Sequence, residues 1–160
     1  MGTARTGKSY LISIIQDRLQ ENSIVLAPIG VAAFNIQGRT IHSSLSIPIC
    51  GTNYKLEGES LKKLQNRIKD IQYIIIDEMS MVGRHFLALI DLRLRQAFPD
   101  HSNQHFGGRS IILVGNFGQL PSVCDLPMYS QDHRPSDPIS EDGRNTYSQF
   151  QEVYKLEAAQ

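Results

Sequence analysis

Residues Gly2 to Ser9 read Gly-Thr-Ala-Arg-Thr-Gly-Lys-Ser, the spacing G-x-x-x-x-G-K-[ST] that cradles the phosphates of a nucleoside triphosphate. Each part has a physical job. Backbone N–H groups along Gly2, Thr3, Ala4, Arg5, Thr6 and Gly7 wrap the β-phosphate, and the glycines let the chain pass close to the anion. Lys8 places a point charge between the β- and γ-phosphates, and the Ser9 hydroxyl helps to hold Mg²⁺ with the nucleoside triphosphate. The pattern alone is moderately specific, since a Gly-rich turn also satisfies it.

A second acidic element follows far downstream, where Tyr73-Ile74-Ile75-Ile76 ends in Asp77-Glu78. Taken alone, this pair reads equally well as a surface cap on the helix that follows. With a phosphate loop upstream it reads as a site: Asp77 binds Mg²⁺, mostly through water, and Glu78 polarises the attacking water. Open α/β sheets place their ligands at the carboxyl ends of strands, where this pair stands. A third string, Gly115-Asn116-Phe117-Gly118-Gln119-Leu120-Pro121, follows another apolar run. There Gln119 is placed to reach a γ-phosphate and report its loss, against the plainer reading of a polar turn.

The elements that must position these residues follow from periodicity. Leu11, Ile12, Ile15 and Leu19 recur at helical spacing and predict a helix from Lys8 to about Leu19, its amino end under the phosphates. Ile24 to Ala27 predicts a short buried strand ended by Pro28, and Gly30 to Ile36 a second helix closed by Gly38. Ser43 to Glu59 reads as a long connection, and Leu61, Leu64 and Ile68 mark an amphipathic helix. The continuous apolar runs Tyr73 to Ile76 and Ile111 to Val114 predict strands covered on both faces, as in a parallel sheet. Between them Leu87, Ile90, Leu94 and Phe98 form the stripe of a longer helix stopped by Pro99. Residues 125–146 are polar and rich in Pro, Asp and Ser, and read as a mobile insertion. A last helix-to-strand passage is expected from Tyr147 to Leu156. Strands alternating with helices predict one doubly wound α/β domain over residues 1–160.

Composition sets the outer bounds. Lys plus Arg and Asp plus Glu each number 16, so the formal net charge is zero and no global field draws the domain to nucleic acid. Any strand binding must come from a local groove or from a partner domain. No apolar run is long enough to span a bilayer, so no membrane role is expected. No basic-then-apolar leader precedes the phosphate loop, and Cys50 and Cys124 follow no metal-ligand spacing, so two reduced thiols in an intracellular protein are expected.

Taken in order, Gly2-Thr-Ala-x-Thr-Gly-Lys-Ser9, Ala27-Pro-x-Gly-Val-Ala-Ala33, Gly38-x-Thr-Ile-His-Ser43, Ile76-Asp-Glu-Met-Ser-Met81 and Gly115-x-Phe-Gly-Gln-Leu-Pro121 resemble the first half of the petite-integration-frequency (PIF) family of superfamily-one DNA helicases. The resemblance covers nearly the whole chain. It implies a P-loop, RecA-like domain with a mostly parallel sheet that couples ATP hydrolysis to 5′-to-3′ translocation on single-stranded DNA. It also implies a catalytic set of Lys8, Glu78 and Gln119, with Ser9 and Asp77 on the metal. Pro28, Gly30, Val31, Thr40 and His42 are then expected toward the DNA. There backbone N–H groups and the Thr40 hydroxyl would meet phosphates, and His42 would hydrogen-bond or stack on a base. For His42 a plain structural role stands as an equal alternative. Nuclear or mitochondrial placement in a eukaryote, and links to recombination, repair and telomere maintenance, are implied by the resemblance only.

Several positions depart from the family pattern. Arg5 stands where the family usually has Gly, Ile29 where it has Thr, Asn116 where it has Asp, and Ser122 where it has a second Pro. A non-Gly residue in the left-handed region costs roughly 1–2 kcal/mol. The strand that normally precedes a phosphate loop is expected to be lacking, which would leave the strand Ile111 to Val114 with an open edge. The second RecA-like domain, which in this family supplies an arginine to the γ-phosphate, is expected to be absent as well. Unwinding is therefore not expected of this chain alone. Two other readings stand beside the leading one: a non-catalytic helicase remnant that binds nucleotide or a partner without turnover, and an unrelated P-loop enzyme such as a small kinase.

Overall fold

A computed structural model describes residues 7–49 and 54–156. Four parallel strands form its sheet in the order β2-β1-β3-β4: β1 at Ser23–Ala27, β2 at Arg39–Thr40, β3 at Tyr73–Ile76 and β4 at Ser110–Leu113. Three of the strands lie where the apolar runs predict them, β4 one residue earlier. The two-residue β2 has no apolar run to announce it.

Burial on both faces explains why Ile74, Ile75 and Ile76 are apolar without alternation. Ile74 and Ile76 join Leu26 in the larger core, under α3 (Ile41–Leu45), α4 (Gly58–Ile68) and α5 (Arg84–Ala97). Ile75 faces the other way with Val25, against Ile12 of α1 (Lys8–Leu19). α2 (Gly30–Asn35) closes the β1-to-β2 crossover, and its Ala32 and Ala33 pack on Ala27. Among the described residues β4 pairs only with β3, and its Ile111, Ile112 and Leu113 are half-buried where the β3 isoleucines are fully buried.

The start of the expected long connection, at Ser43, is helical. Thr40 caps α3, its Oγ1 accepting from the Ser43 N–H at 3.3 Å, so a helix begins where only a loop is predicted. α5 runs along its predicted stripe and ends before Pro99.

The largest departure lies in residues 125–146. Instead of a loose insertion, this stretch carries most of α6 (Pro138–Tyr147), which packs along α5. Its polarity has a structural cause. Arg84 is fully buried. Its Nε donates to Ser140 O and Oγ at 3.1 Å each, Nη1 to Ser130 O at 3.2 Å and Asp132 O at 2.7 Å, and Nη2 to Glu141 Oε1 at 2.7 Å. The expected helix-to-strand passage from Tyr147 is also corrected: the helix ends at Tyr147, and residues 150–156 form neither helix nor strand.

Gly143 marks the closest approach of α6 to α5, because a Cβ built there would lie 1.8 Å from the Arg84 carbonyl oxygen. Gly143→Ala must push the helices apart and is expected to cost about 3 kcal/mol, at the upper end for overpacking. Urea unfolding measures this; a loss within 0.5 kcal/mol, the range of neutral surface changes, would mean that α6 is not integral to the domain.

Candidate functional site

β3 and β4 deliver the chemical residues by ending side by side. The Asp77 N–H still donates to Leu26 O at 2.9 Å, as a sheet residue does, and Val114 N–H donates to Ile76 O at 2.8 Å. Beyond that point the two chains turn away and a cavity of about 440 Å³ opens between their ends, α1 and α2. Ser9, Asp77, Glu78 and Gln119 all line it. The structure therefore gathers four of the sequence-predicted site residues into one space.

Gly7 caps α1 with φ 77°, a left-handed conformation natural to glycine, and sets Lys8 and Ser9 in the helix's first turn. Gly2, Thr3, Ala4, Arg5 and Thr6 lie outside the described residues. Glu78 adopts φ 53°, ψ 45°, a strained conformation for a non-glycine residue that costs of order 1 kcal/mol. It is held by the Met81 N–H, which donates to Glu78 O at 3.0 Å, and by the Met79 N–H, which donates to Val114 O at 3.0 Å. Gly115, with φ 149°, leaves room for that contact: a Cβ there would stand 2.9 Å from Met79 N.

Asp77 is 6% exposed, and its Oδ1 has no hydrogen-bond partner among the described residues. Burial pushes its carboxyl above the ordinary value, while the Glu78 backbone N–H and the Lys8 charge pull it back in part. A buried, unpartnered carboxylate oxygen beside a serine hydroxyl is the oxygen donor set that suits Mg²⁺, which takes one or two carboxylates and completes its shell with water and substrate phosphate. No cluster of three His, Cys, Asp or Glu side chains able to hold a metal occurs among the described residues. Gln119 Oε1 is likewise buried and unpartnered. Asn116 does not line the cavity; its Oδ1 accepts from the Gly118 N–H at 3.0 Å and closes the turn that carries Gln119.

The residues expected toward DNA are not gathered in this way. Pro28 and His42 line a second cavity of about 570 Å³, with Tyr54, His85, Phe86 and Cys124 among its walls. Val31 lines the first cavity, while Gly30 and Thr40 line neither. The Thr40 hydroxyl is engaged in capping α3. One face of the His42 ring stacks on Phe86, with centroids 4.6 Å apart and planes at 25°, and burial pushes its pKa down. The sequence reading missed Tyr54, His85 and Phe86, which no motif string connects. Ile29 and Met81 line both cavities.

Two outcomes follow from this geometry. Because the folded pKa of Asp77 is raised, its ionisation subtracts stability as pH rises through the folded value, and costs nothing below the ordinary value of 3.8. Asp77→Asn should therefore raise Tm at neutral pH without metal or nucleotide, the gain vanishing as pH falls toward 3.8; a lower Tm at pH 7 would contradict it. Ile29 occupies the amino cap of α2 without a side-chain hydrogen bond. Ile29→Thr restores a capping hydroxyl and should add roughly 0.5–1 kcal/mol in urea unfolding, with no gain meaning that α2 is capped by other means.

Comparison with known proteins gives the family. The family model for PIF1-like helicases matches residues 1–136. The ATP-dependent DNA helicase Pif1 of Campylobacter jejuni is 38% identical over 133 residues, covering 76% of this chain and 28% of that protein. PIF1 of Saccharomyces cerevisiae is 37% identical over 135 residues, covering 79% of this chain and 15% of the yeast protein. The chain thus spans under a third of the relatives it matches. Among solved structures, Bacteroides Pif1 bound to single-stranded DNA superposes with a TM-score of 0.68 at 31% identity, over 93% of this chain and 32% of that one. The same protein with ADP-AlF3 and single-stranded DNA superposes with a TM-score of 0.68 at 33% identity, over 88% of this chain and 31% of that one. With its parallel sheet, its phosphate-loop string and its acidic pair at the end of β3, this chain belongs to the PIF1-like helicase family.

Proposed function

We propose that this chain is the ATP-binding and ATP-hydrolysing part of a 5′-to-3′ DNA helicase. The observation that supports it most directly is the convergence of Ser9, Asp77, Glu78 and Gln119 on one cavity, with Lys8 close enough for its charge to act on Asp77. Lys8 orients the β- and γ-phosphates. Glu78 takes the proton of the attacking water. Gln119 meets the γ-phosphate side of the cavity and registers its departure. Ser9 and Asp77 would hold Mg²⁺, which supplies charge neutralisation on the phosphate oxygens.

Single-stranded DNA is the second partner in this reading. The second cavity supports it through aromatic walls, His42 on Phe86 and Tyr54 beside His85, since bases of any sequence stack on such surfaces. Among the described residues its walls include no Lys or Arg, which favours bases over phosphates. Translocation and unwinding belong to a longer assembly in which a second RecA-like domain completes the DNA cleft and brings an arginine to the γ-phosphate. DNA as partner implies an intracellular setting, the nucleus or mitochondrion in a eukaryote. No helix among the described residues is long and apolar enough to cross a membrane. Arg5 in the phosphate loop favours one other reading, a remnant that binds nucleotide without turnover.

The deciding measurement is Mg²⁺-ATP hydrolysis by the chain with and without single-stranded DNA, alongside nucleotide binding and circular dichroism. Glu78→Gln should lower kcat by about 10²–10⁴, the contribution of a general base, while nucleotide still binds; Lys8→Ala should weaken binding itself. A folded wild-type chain that binds nucleotide with no turnover would instead establish the remnant reading.

A further inference from the structure

We infer that Asp125 is a positioning residue for Gln119: its carboxylate fastens the loop carrying Gln119 to the amino end of α5 and so sets where Gln119 stands beside Asp77 and Glu78. The inference rests on the reading of that cavity as the ATP site.

Gln119 needs external support because its Oε1 has no hydrogen-bond partner among the described residues. Its place comes from the backbone, and the backbone from Val114 to Pro127 is bonded at both ends to one continuous stretch, Met79 to Phe86. At the near end the Met79 N–H donates to Val114 O at 3.0 Å. At the far end the Arg84 N–H donates to Leu126 O at 2.8 Å, and Gly83 faces Pro127 in an isolated antiparallel bridge. Asp125 completes that far anchor. Its Oδ1 accepts from the His85 N–H and its Oδ2 from the Phe86 N–H, each at 3.1 Å.

Those N–H groups lie in the first turn of α5, where no helical acceptor exists. A helix usually caps them with its own N-cap side chain. Here the N-cap is Gly83, which has none, and the cap arrives from the distant loop. The glycine is required: a Cβ at Gly83 would lie 2.1 Å from Asp125 Cγ. Between the two anchors the turn is closed by the Gln119 N–H, which donates to Asn116 O at 3.0 Å, and by Ser122 Oγ, which donates to Asp125 O at 2.9 Å. Ser122, where the family pattern has proline, thus adds a bond to the anchor. Although Asp125 also lines the second cavity, both of its oxygens are occupied by backbone N–H groups, so its work is done inside the protein.

The test compares Asp125→Ala with Asp125→Asn in the whole chain, the Asn variant keeping the size of the side chain and one of its two acceptor oxygens. Hydrogen exchange at Gly118 and Gln119 should accelerate about tenfold or more in the Ala variant, while the β3 amides keep their protection and the Asn variant, with one anchor bond left, falls between Ala and wild type. ATP turnover should follow, with kcat falling about tenfold and KM for ATP within about twofold, as expected for a misplaced group. Unchanged exchange and unchanged kcat in a folded Asp125→Ala chain would overturn the inference. So would exchange accelerated equally in β3, which would make Asp125 a general stabiliser of the fold. If the wild-type chain binds nucleotide without turnover, the ATPase reading falls, and the exchange comparison still decides whether Asp125 places the loop.

Discussion

Burial of Ile74, Ile75 and Ile76 on both faces of the sheet fixes the point at which charge can first appear along β3. The strand is paired on each side, with β1 and with β4, and a slip of one residue would draw Asp77 between Leu26 and Leu113, where Ile76 now stands. An ionised carboxylate inside a sheet has no compensating partner, so the charge itself enforces the register. Asp77 therefore emerges at the last position the sheet allows, its backbone still bonded to Leu26 and its side chain in the cavity. The raised carboxyl pKa follows from that placement. Under the proposed function, binding a cation there would relieve a cost that the fold already bears, and affinity for it would oppose the stability of the empty domain at this residue.

A second constraint lies at the amino end of α5, where successive residues tie in different partners. Arg84 takes the polar stretch that leads into α6, its backbone N–H takes Leu126, and His85 and Phe86 take Asp125. His85 Nδ1 also meets both oxygens of Asp137, the residue that caps α6. A buried guanidinium is tolerable only where its donors are fully used, and here serine and aspartate carbonyls together with Glu141 use them. Ser140 and Glu141 meet the buried Arg84 with side-chain oxygens, while Ser130 and Asp132 meet it with backbone carbonyls. Hydropathy reads such a segment as solvent-exposed, since it registers side-chain polarity and not what the polarity is paired with.

The same distinction explains what was legible in the sequence. β1, β3, β4, α1 and α5 were readable because runs and stripes of apolar residues carry their own period. β2 was not, because two residues cannot show a period, and α3 was not, because its start depends on the Thr40 hydroxyl turning back to Ser43. Ser9, Asp77, Glu78 and Gln119, which line one cavity, were readable because the phosphate chemistry proposed for them restricts both residue type and spacing. The second cavity draws His42, Tyr54, His85 and Phe86 from three separate elements, and adjacency in space leaves no trace in spacing along the chain. The Thr40 hydroxyl, expected toward phosphates, is used by the backbone at the start of α3.

Ile29 and Met81, the side chains common to both cavities, are apolar and offer no hydrogen-bond relay from one to the other. What does connect the cavities is covalent and backbone-bonded: the stretch from Asp77 to Phe86 begins in the first and ends in the second, and the loop from Gln119 to Asp125 does the same beside it. Two segments joined at both ends move together or not at all. A change at the nucleotide side can therefore reach His85 and Phe86 by displacing packed backbone, and a charge change at Asp77 has no polar route through the shared wall. A threonine at position 29, the family's usual residue, would place a hydroxyl in that wall, and Ile29 makes the barrier here wholly apolar. On this geometry the substitution bears on how the cavities communicate more than on whether either one forms.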